Sequence, residues 1–384
     1  MRTPRVVQRH PALRWFVPAG VLCIAAAAVT VGVFRTTSDR LADTTPKALI
    51  SGLQRSGTTG YSGTLVAQMT LNLPVSADAA GSKTPILLMA GAHAMRYWYG
   101  GTDRQRVALT DTDSESDVFY TGTNVWQWNS ATNVATRSTL PTLAADAIGS
   151  PVFPAPLTFA ALTPEQLTTR ALAAVDAQTT VHVSGGPTIA EHPTYQLVLR
   201  PGERDGTRIA AVRIDVDAGH DVPLGVQVYA RGQRQPSIDV SFSSISYRMP
   251  DAQYFDFTPP PGATVRRGVQ PQLVSANGRV HVDAASIASP EPVDGPVDGP
   301  VDGQVSVETG WSAITAFRLT NAVDGDTATD SSPGGQLRSA MHPVSGSWGS
   351  GYLLDTPLLC VLITSDGRVL SGSVEPAELF AAAG

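Results

Sequence analysis

Asp111, Asp113, Glu115 and Asp117 alternate along one short stretch, and carboxylates at that spacing open a calcium-binding loop. The match stops there. Ser116 stands where the sharp-turn glycine belongs and Gly122 where the bidentate glutamate belongs, so the stretch reads as a solvated loop between strands. Acyl-transfer chemistry would need a G-x-S-x-G nucleophile elbow, and Gly346-Ser347-Trp348-Gly349-Ser350-Gly351 has the wrong spacing for one. His93, His182, His192, His220, His281 and His342 are dispersed singly with no H-E-x-x-H pair, and each reads as a surface or strand residue rather than a zinc ligand. No Walker loop or dinucleotide fingerprint occurs. The sequence therefore predicts no catalytic residue, no metal and no cofactor, and a role other than catalysis.

The chain has 384 residues, ample for one or two domains with real cores, and a net charge of −6. Arg2, Arg5, Arg9, Arg14 and Arg35 are the only charges in residues 1–35, so the remainder carries −11. Such a body is not expected to seek nucleic acid or anionic headgroups through bulk electrostatics. Residues 15–34 are uncharged and apolar, and a helix of that length spans about 30 Å, the thickness of a bilayer core. The arginines before it favour the cytoplasmic side, which predicts a cytoplasmic basic segment over 1–14 and a body outside the cell membrane. Two readings of 15–34 stand: an uncleaved transmembrane anchor, or a secretory signal with the alanines 25–28 as small residues for a peptidase, which would leave the body secreted. Residues 29–34 prolong the apolar stretch past the alanines and favour the anchor. Leu22 is too bulky for a lipidation signal at Cys23. Cys360 is the other cysteine, so no disulfide forms within the exported part, and its setting in Leu358-Leu359-Cys360-Val361-Leu362-Ile363 predicts a buried strand.

Thr45-Pro46 opens a short helix whose Leu49, Ile50 and Leu53 make an apolar stripe. Strands follow. Alternation runs through 61–71, with Tyr61, Gly63, Leu65, Ala67, Met69 and Leu71 on one face, then through 86–99, 104–110, 117–120, 125–128 and 134–140, with turns at Gly100-Gly101, Thr121-Gly122 and Asn129-Ser130. Thr163-Pro164-Glu165-Gln166 reads as a capping box for a second helix, and strands resume over 194–200, 208–216, 222–230 and 238–247. Strands succeeding one another without helices between them exclude a doubly wound fold. The expectation is α+β: one strongly bent antiparallel sheet, a half-open β-barrel with covering helices, preceded by an N-terminal transmembrane helix. Residues 264–304 are poor in large apolar side chains and carry a Val-Asp-Gly-Pro repeat, which predicts an extended linker rather than a calcium site. Residues 305–384 read as a C-terminal module with a hairpin about Ser365-Asp366-Gly367 and a last helix over 376–383.

Large soft side chains concentrate in the first meander: Leu65, Met69, Leu71, Met89, Met95, Tyr97, Trp98, Phe119, Trp126 and Trp128. Residue by residue, ordinary core accounts for them. Collectively they put apolar groups on both faces of the same strands, as in Met95-Arg96-Tyr97-Trp98-Tyr99, and such a sheet is either covered twice or holds an apolar ligand. They are the candidate ligand cavity.

Thr45-Pro46-Lys47-Ala48-Leu49, Tyr61-Ser62-Gly63-Thr64-Leu65, Met95-Arg96-Tyr97-Trp98-Tyr99, Arg106-Val107-Ala108-Leu109 and Thr123-Asn124-Val125-Trp126-Gln127-Trp128-Asn129 together resemble the LolA family of periplasmic lipoprotein carriers. Tyr195-Gln196-Leu197-Val198-Leu199, Val222-Pro223-Leu224-Gly225-Val226-Gln227-Val228-Tyr229 and Phe255-Asp256-Phe257-Thr258-Pro259-Pro260 look like its later strands and their close. The resemblance covers residues 46–262 and is nearest to an actinobacterial, membrane-anchored branch. It implies a half-barrel whose concave apolar face, lidded by helices, takes up a lipid, an acyl chain or an acylated lipoprotein. No position matches the lid-locking arginine of the soluble carriers. Similar folds in RseB-like sensors imply an alternative, regulatory role in which the partner is an anti-sigma factor.

Overall fold

The computed structural model describes residues 41–56, 60–70, 91–110, 114–139, 163–267, 271–276, 279–284, 306–307, 310–318 and 341–384. Segments 1–14 and 15–34 lie outside these, and among the described residues no helix is long and apolar enough to cross a membrane. Arg40–Gly384 form one compact unit.

Helix α1 (Pro46–Ser56) begins as its sequence dictates, with the Thr45 hydroxyl accepting from the Ala48 amide at 3.2 Å. The first meander is β1 (Tyr61–Met69), β2 (Gly91–Tyr99), β3 (Arg104–Thr110), β4 (Glu115–Thr121), β5 (Asn124–Asn129) and β6 (Val134–Thr139). Helix α2 (Pro164–Ala173) follows, with the Thr163 side chain capping the Gln166 amide at 3.3 Å. The second meander is β7 (Thr180–Gly185), β8 (Thr194–Arg200), β9 (Ile209–Asp217), β10 (Pro223–Ala230) and β11 (Ile238–Ser246). Strand β11 pairs antiparallel with β1, which joins both meanders into one sheet. With β12 (Thr264–Arg267) lying parallel to β6, the sheet has twelve strands in the order β12-β6-β5-β4-β3-β2-β1-β11-β10-β9-β8-β7.

Packing shows the bend. Leu65, Tyr97, Val118 and Val125 from the first meander share one buried cluster with Leu197, Ile214, Val226 and Val240 from the second. Register shifts at Thr64/Leu65 in β1 and at Pro223/Gly225 and Tyr229/Ala230 in β10 mark where strands kink. At the first of these a side chain is excluded: a Cβ on Gly63 would lie 2.2 Å from the Ser244 carbonyl oxygen. The sheet is bent but not a closed barrel, since β12 and β7 remain its two ends.

The chain after 264 departs from its reading as an open spacer. Besides β12, residues of that stretch form β13 (Pro271–Ala276) and β14 (Arg279–Ala284), which pair antiparallel. The low apolar content of the stretch reads as a spacer although its short segments pair as strands. These strands continue into β15 (Ser306–Val307), β16 (Ile314–Arg318), β17 (His342–Gly346), β18 (Gly349–Asp355), β19 (Cys360–Thr364) and β20 (Arg368–Gly372) as an eight-stranded sheet, followed by helix α3 (Pro376–Ala383). The C-terminal module is therefore a sheet with its own core of Leu353, Cys360, Leu362, Leu370, Val374 and Leu379, larger than one hairpin and a helix. The hairpin about residues 365–367 and the buried Cys360 are as expected.

Arg208 ties the two sheets. Its guanidinium donates to the carboxylates of Asp355 and Glu375 and to the Thr356 carbonyl, while its amide donates to the Ser373 carbonyl at 2.6 Å. The neighbouring Thr207 forms an isolated bridge with Val374.

Candidate functional site

The residues expected to line one cavity divide between two faces of the first meander. Trp98, Phe119, Trp126 and Trp128 point to the convex side, where they are covered by the chain that follows β11. Tyr254 stacks on Trp98 with ring centroids 5.5 Å apart, and Phe257 sits 4.8, 5.5 and 6.0 Å from Phe119, Trp126 and Trp128. Gly100 must lack a side chain here, because a Cβ would lie 2.8 Å from the Phe255 ring. Arg106 lies between Trp98 and Phe119, 4.8 and 4.7 Å from their centroids, and donates to Asp117 at 3.1 Å. Asp117 is thus buried in β4 and paired rather than in a solvated loop, and burial, opposed by Arg106, pushes its pKa up to about 6. Asp111 and Asp113 lie outside the described residues. Of the two ways to satisfy a sheet with two apolar faces, this side takes the first: it is covered.

Leu65, Met69, Met95 and Tyr97 point to the concave side and are buried in the main cluster; Leu71 and Met89 lie outside the described residues. Across this face lies α2. Glu165, expected only as a helix-start residue, instead accepts at Oε2 from the hydroxyls of Tyr61 at 3.2 Å and Tyr97 at 3.3 Å. Tyr97 also bonds Gln105, and the rings of Tyr61 and Tyr99 stack at 4.8 Å. Burial pushes the Glu165 carboxyl up to about 6, against the pull of Tyr99, Tyr61 and Tyr97. Burial, with Glu165 adding, holds the phenols of Tyr61 and Tyr97 well above their usual range, so they remain donors.

Stability depends on pH as a result. An unfolded glutamate titrates near 4.3, so between about pH 4 and 6 the folded chain keeps a proton that the unfolded chain has released. Stability from this group therefore falls as pH rises through that window, and Asp117 and Asp215, also pushed to about 6, act in the same direction. Glu165→Gln keeps an acceptor for the tyrosines and is expected to remove about 1–2 kcal/mol of the loss between pH 4.5 and 7. Urea unfolding at both pH values checks this; an undiminished loss in the variant contradicts it.

The concave face is closed by a residue that no local pattern singled out. Trp311, from the segment between β15 and β16, is 1% exposed within the main cluster, and its indole Nε1 donates to the Thr179 hydroxyl at 2.9 Å. Leu358 and Leu359, between β18 and β19, enter beside it. Between Trp311, Leu358, Leu167 and Ala171 of α2, and Val212, Val228 and Ile238 of the sheet, a void of only about 30 Å³ remains, the space of one water. Arg170 of α2 borders the same void; burial lowers its pKa to about 10, so it stays charged at neutral pH.

No protein-family model matches the sequence, and no curated protein matches it. Among solved structures the chain is similar to MucB of Pseudomonas aeruginosa, determined in complex with MucA, at 13% identity over 88% of this chain and 96% of that one, with a TM-score of 0.44. It is similar to an uncharacterized conserved protein from Thermus thermophilus at 13% identity, covering 58% of this chain and 98% of that one, with a TM-score of 0.35. A LolA superfamily protein from Nitrosomonas europaea shows 11% identity over 56% of this chain and 99% of that one, with a TM-score of 0.24.

Proposed function

We propose that the protein is an extracytoplasmic binding protein that takes an acyl chain into the concave face of its bent sheet, in exchange for Trp311. The observation that carries this reading is the way the interior is closed: Trp311, from a separate segment and with its indole donating to Thr179, packs there with Leu358 beside a void edged by Arg170. A buried tryptophan removes about 150–250 Å² from water. At about 25 cal/mol per Å² that is worth about 4–6 kcal/mol, and an acyl chain recovers it after burying about five to eight methylenes at about 0.8 kcal/mol each. Long chains therefore displace the indole and short ones do not. The carboxylate of a fatty acid would face Arg170.

The full chain, titrated with palmitate and with hexanoate while tryptophan fluorescence is followed, is expected to respond to palmitate alone. Equal responses, or none, contradict the reading. A fluorescence change produced by an anti-sigma factor segment and by no lipid would favour the RseB-like alternative instead.

A further inference from the structure

His192, Asp217 and His220, none of which contributes to the Trp311 interior, form a second polar centre built by two turns. In the first, Ile189 and His192 exchange both backbone hydrogen bonds, at 2.9 and 2.8 Å, across Ala190 and Glu191, whose φ angles are 47° and 70°. In the second, between β9 and β10, Asp221 has a φ of 57°. Left-handed backbone costs an L-residue roughly 1–2 kcal/mol, and among the described residues other than glycine only Asn133 adopts it elsewhere. The strain thus gathers beside the two histidines.

The carboxylate between them is oriented with care. Asp217 is 1% exposed and accepts from the amides of Gly219 at 2.7 Å and His220 at 2.9 Å and from the Tyr247 hydroxyl at 2.5 Å. His192 Nδ1 lies 3.1 Å from Oδ2, and His220 Nδ1 lies 3.2 Å from Oδ1. The Tyr247 ring stacks on His220 at 3.6 Å and meets His192 edge-on at 5.3 Å, which fixes both imidazoles. One ligand atom from each of the three residues lies within 4.8 Å of the other two. Both histidines keep a solvent-facing side, at 30% and 41% side-chain exposure.

We infer that His192, Asp217 and His220 form a binding site for a divalent transition metal of the zinc class. Ligand atoms sharing a tetrahedral ion with bonds of about 2.0–2.1 Å stand about 3.3 Å apart; each imidazole Nδ1 already lies about that far from a carboxylate oxygen of Asp217, His192 from Oδ2 and His220 from Oδ1. Two imidazoles select zinc, copper or nickel over calcium and magnesium, which require oxygen ligands. The amides and the Tyr247 hydroxyl hold the carboxylate from behind, the outer-shell support that metal ligands need. The imidazoles would bind through Nδ1 with the proton on Nε2, and water would fill the open side. The second turn also seats α1, where a Cβ on Gly52 would lie 2.5 Å from the Asp221 carboxyl carbon, so a bound ion would stiffen the support of that helix.

The test is titration of the chelator-treated full chain with Zn²⁺ alone, with Co²⁺ absorption as a second readout. Wild type is expected to take one ion with the visible bands of a nitrogen- and oxygen-bound Co²⁺, and His192→Ala/His220→Ala to bind on the order of 100-fold more weakly. If that variant fails to fold, His220→Ala alone, at the exposed turn, is expected to lose at least about tenfold. Absence of binding in wild type, or affinity equal in wild type and variant, overturns the inference, the second outcome placing any bound ion on other side chains.

Discussion

Trp311→Ala is expected to lower folding stability by about 3–5 kcal/mol and at the same time to raise affinity for a long-chain fatty acid by tenfold or more. The two effects share one cause. Removing the indole leaves a cavity that the rigid sheet cannot close, so the apo protein loses the transfer energy of the side chain and the contacts around the void. The ligand no longer has to displace that side chain, and the part of its own burial energy spent on the exchange appears as affinity. Urea unfolding gives the first quantity and a fluorescent fatty acid titration the second. Lost stability with unchanged affinity would make Trp311 a core residue and nothing more.

The second large effect is at the junction of the two sheets. Arg208→Ala is expected to cost about 2–3 kcal/mol, less than a fully buried ion pair because Asp355 and Glu375 are 41% and 67% exposed and rehydrate when the guanidinium is gone. The main loss comes from the Thr356 carbonyl, buried and left without that donor. Arg208→Lys should recover little, since an ammonium cannot reach three acceptors with the geometry of a planar fork. The distinguishing sign is in the shape of the unfolding curve. Wild type is expected to unfold in one transition, and the variant in two as the C-terminal sheet melts away from the twelve-stranded one. A single transition at lowered midpoint would show that the apolar contacts of Trp311, Leu358 and Leu359 couple the sheets without Arg208.

Much of this fold was legible in the sequence because it is local. Alternation placed β1 to β6 and β8 to β11 within a few residues, and Thr163 capped its helix as its type and position require. Strand β7 escaped notice because Thr180-Val181-His182-Val183-Ser184-Gly185 is a short, mostly polar stretch at the end of the sheet. What alternation cannot supply is which face meets what. Trp98 and Tyr97 are neighbours in one apolar run, yet one lies under Tyr254 and the other bonds Glu165. Glu165 reaches Tyr61 across 104 positions, and Trp311 reaches Thr179 across 132. His192 and His220, each alone in the sequence, meet only because two turns bring them to Asp217. Contacts of that range are decided by how the sheet bends, not by any local pattern.

Cys360 gains a meaning from where it lies. Its thiol is fully buried in β19, 3.4 Å from the Asp355 carboxylate that Arg208 holds, and burial pushes its pKa up to about 12. While the two sheets stay locked the sulfur is neither accessible nor ionised, so oxidants and alkylating agents pass it by. Because the thiol sits in the C-terminal sheet's own core with Leu353, Leu362 and Leu379, opening of that core exposes it. With Cys23 replaced by serine, the chain carries a single intrinsic chemical clock, and the rate at which a thiol reagent consumes Cys360 counts how often the molecule opens.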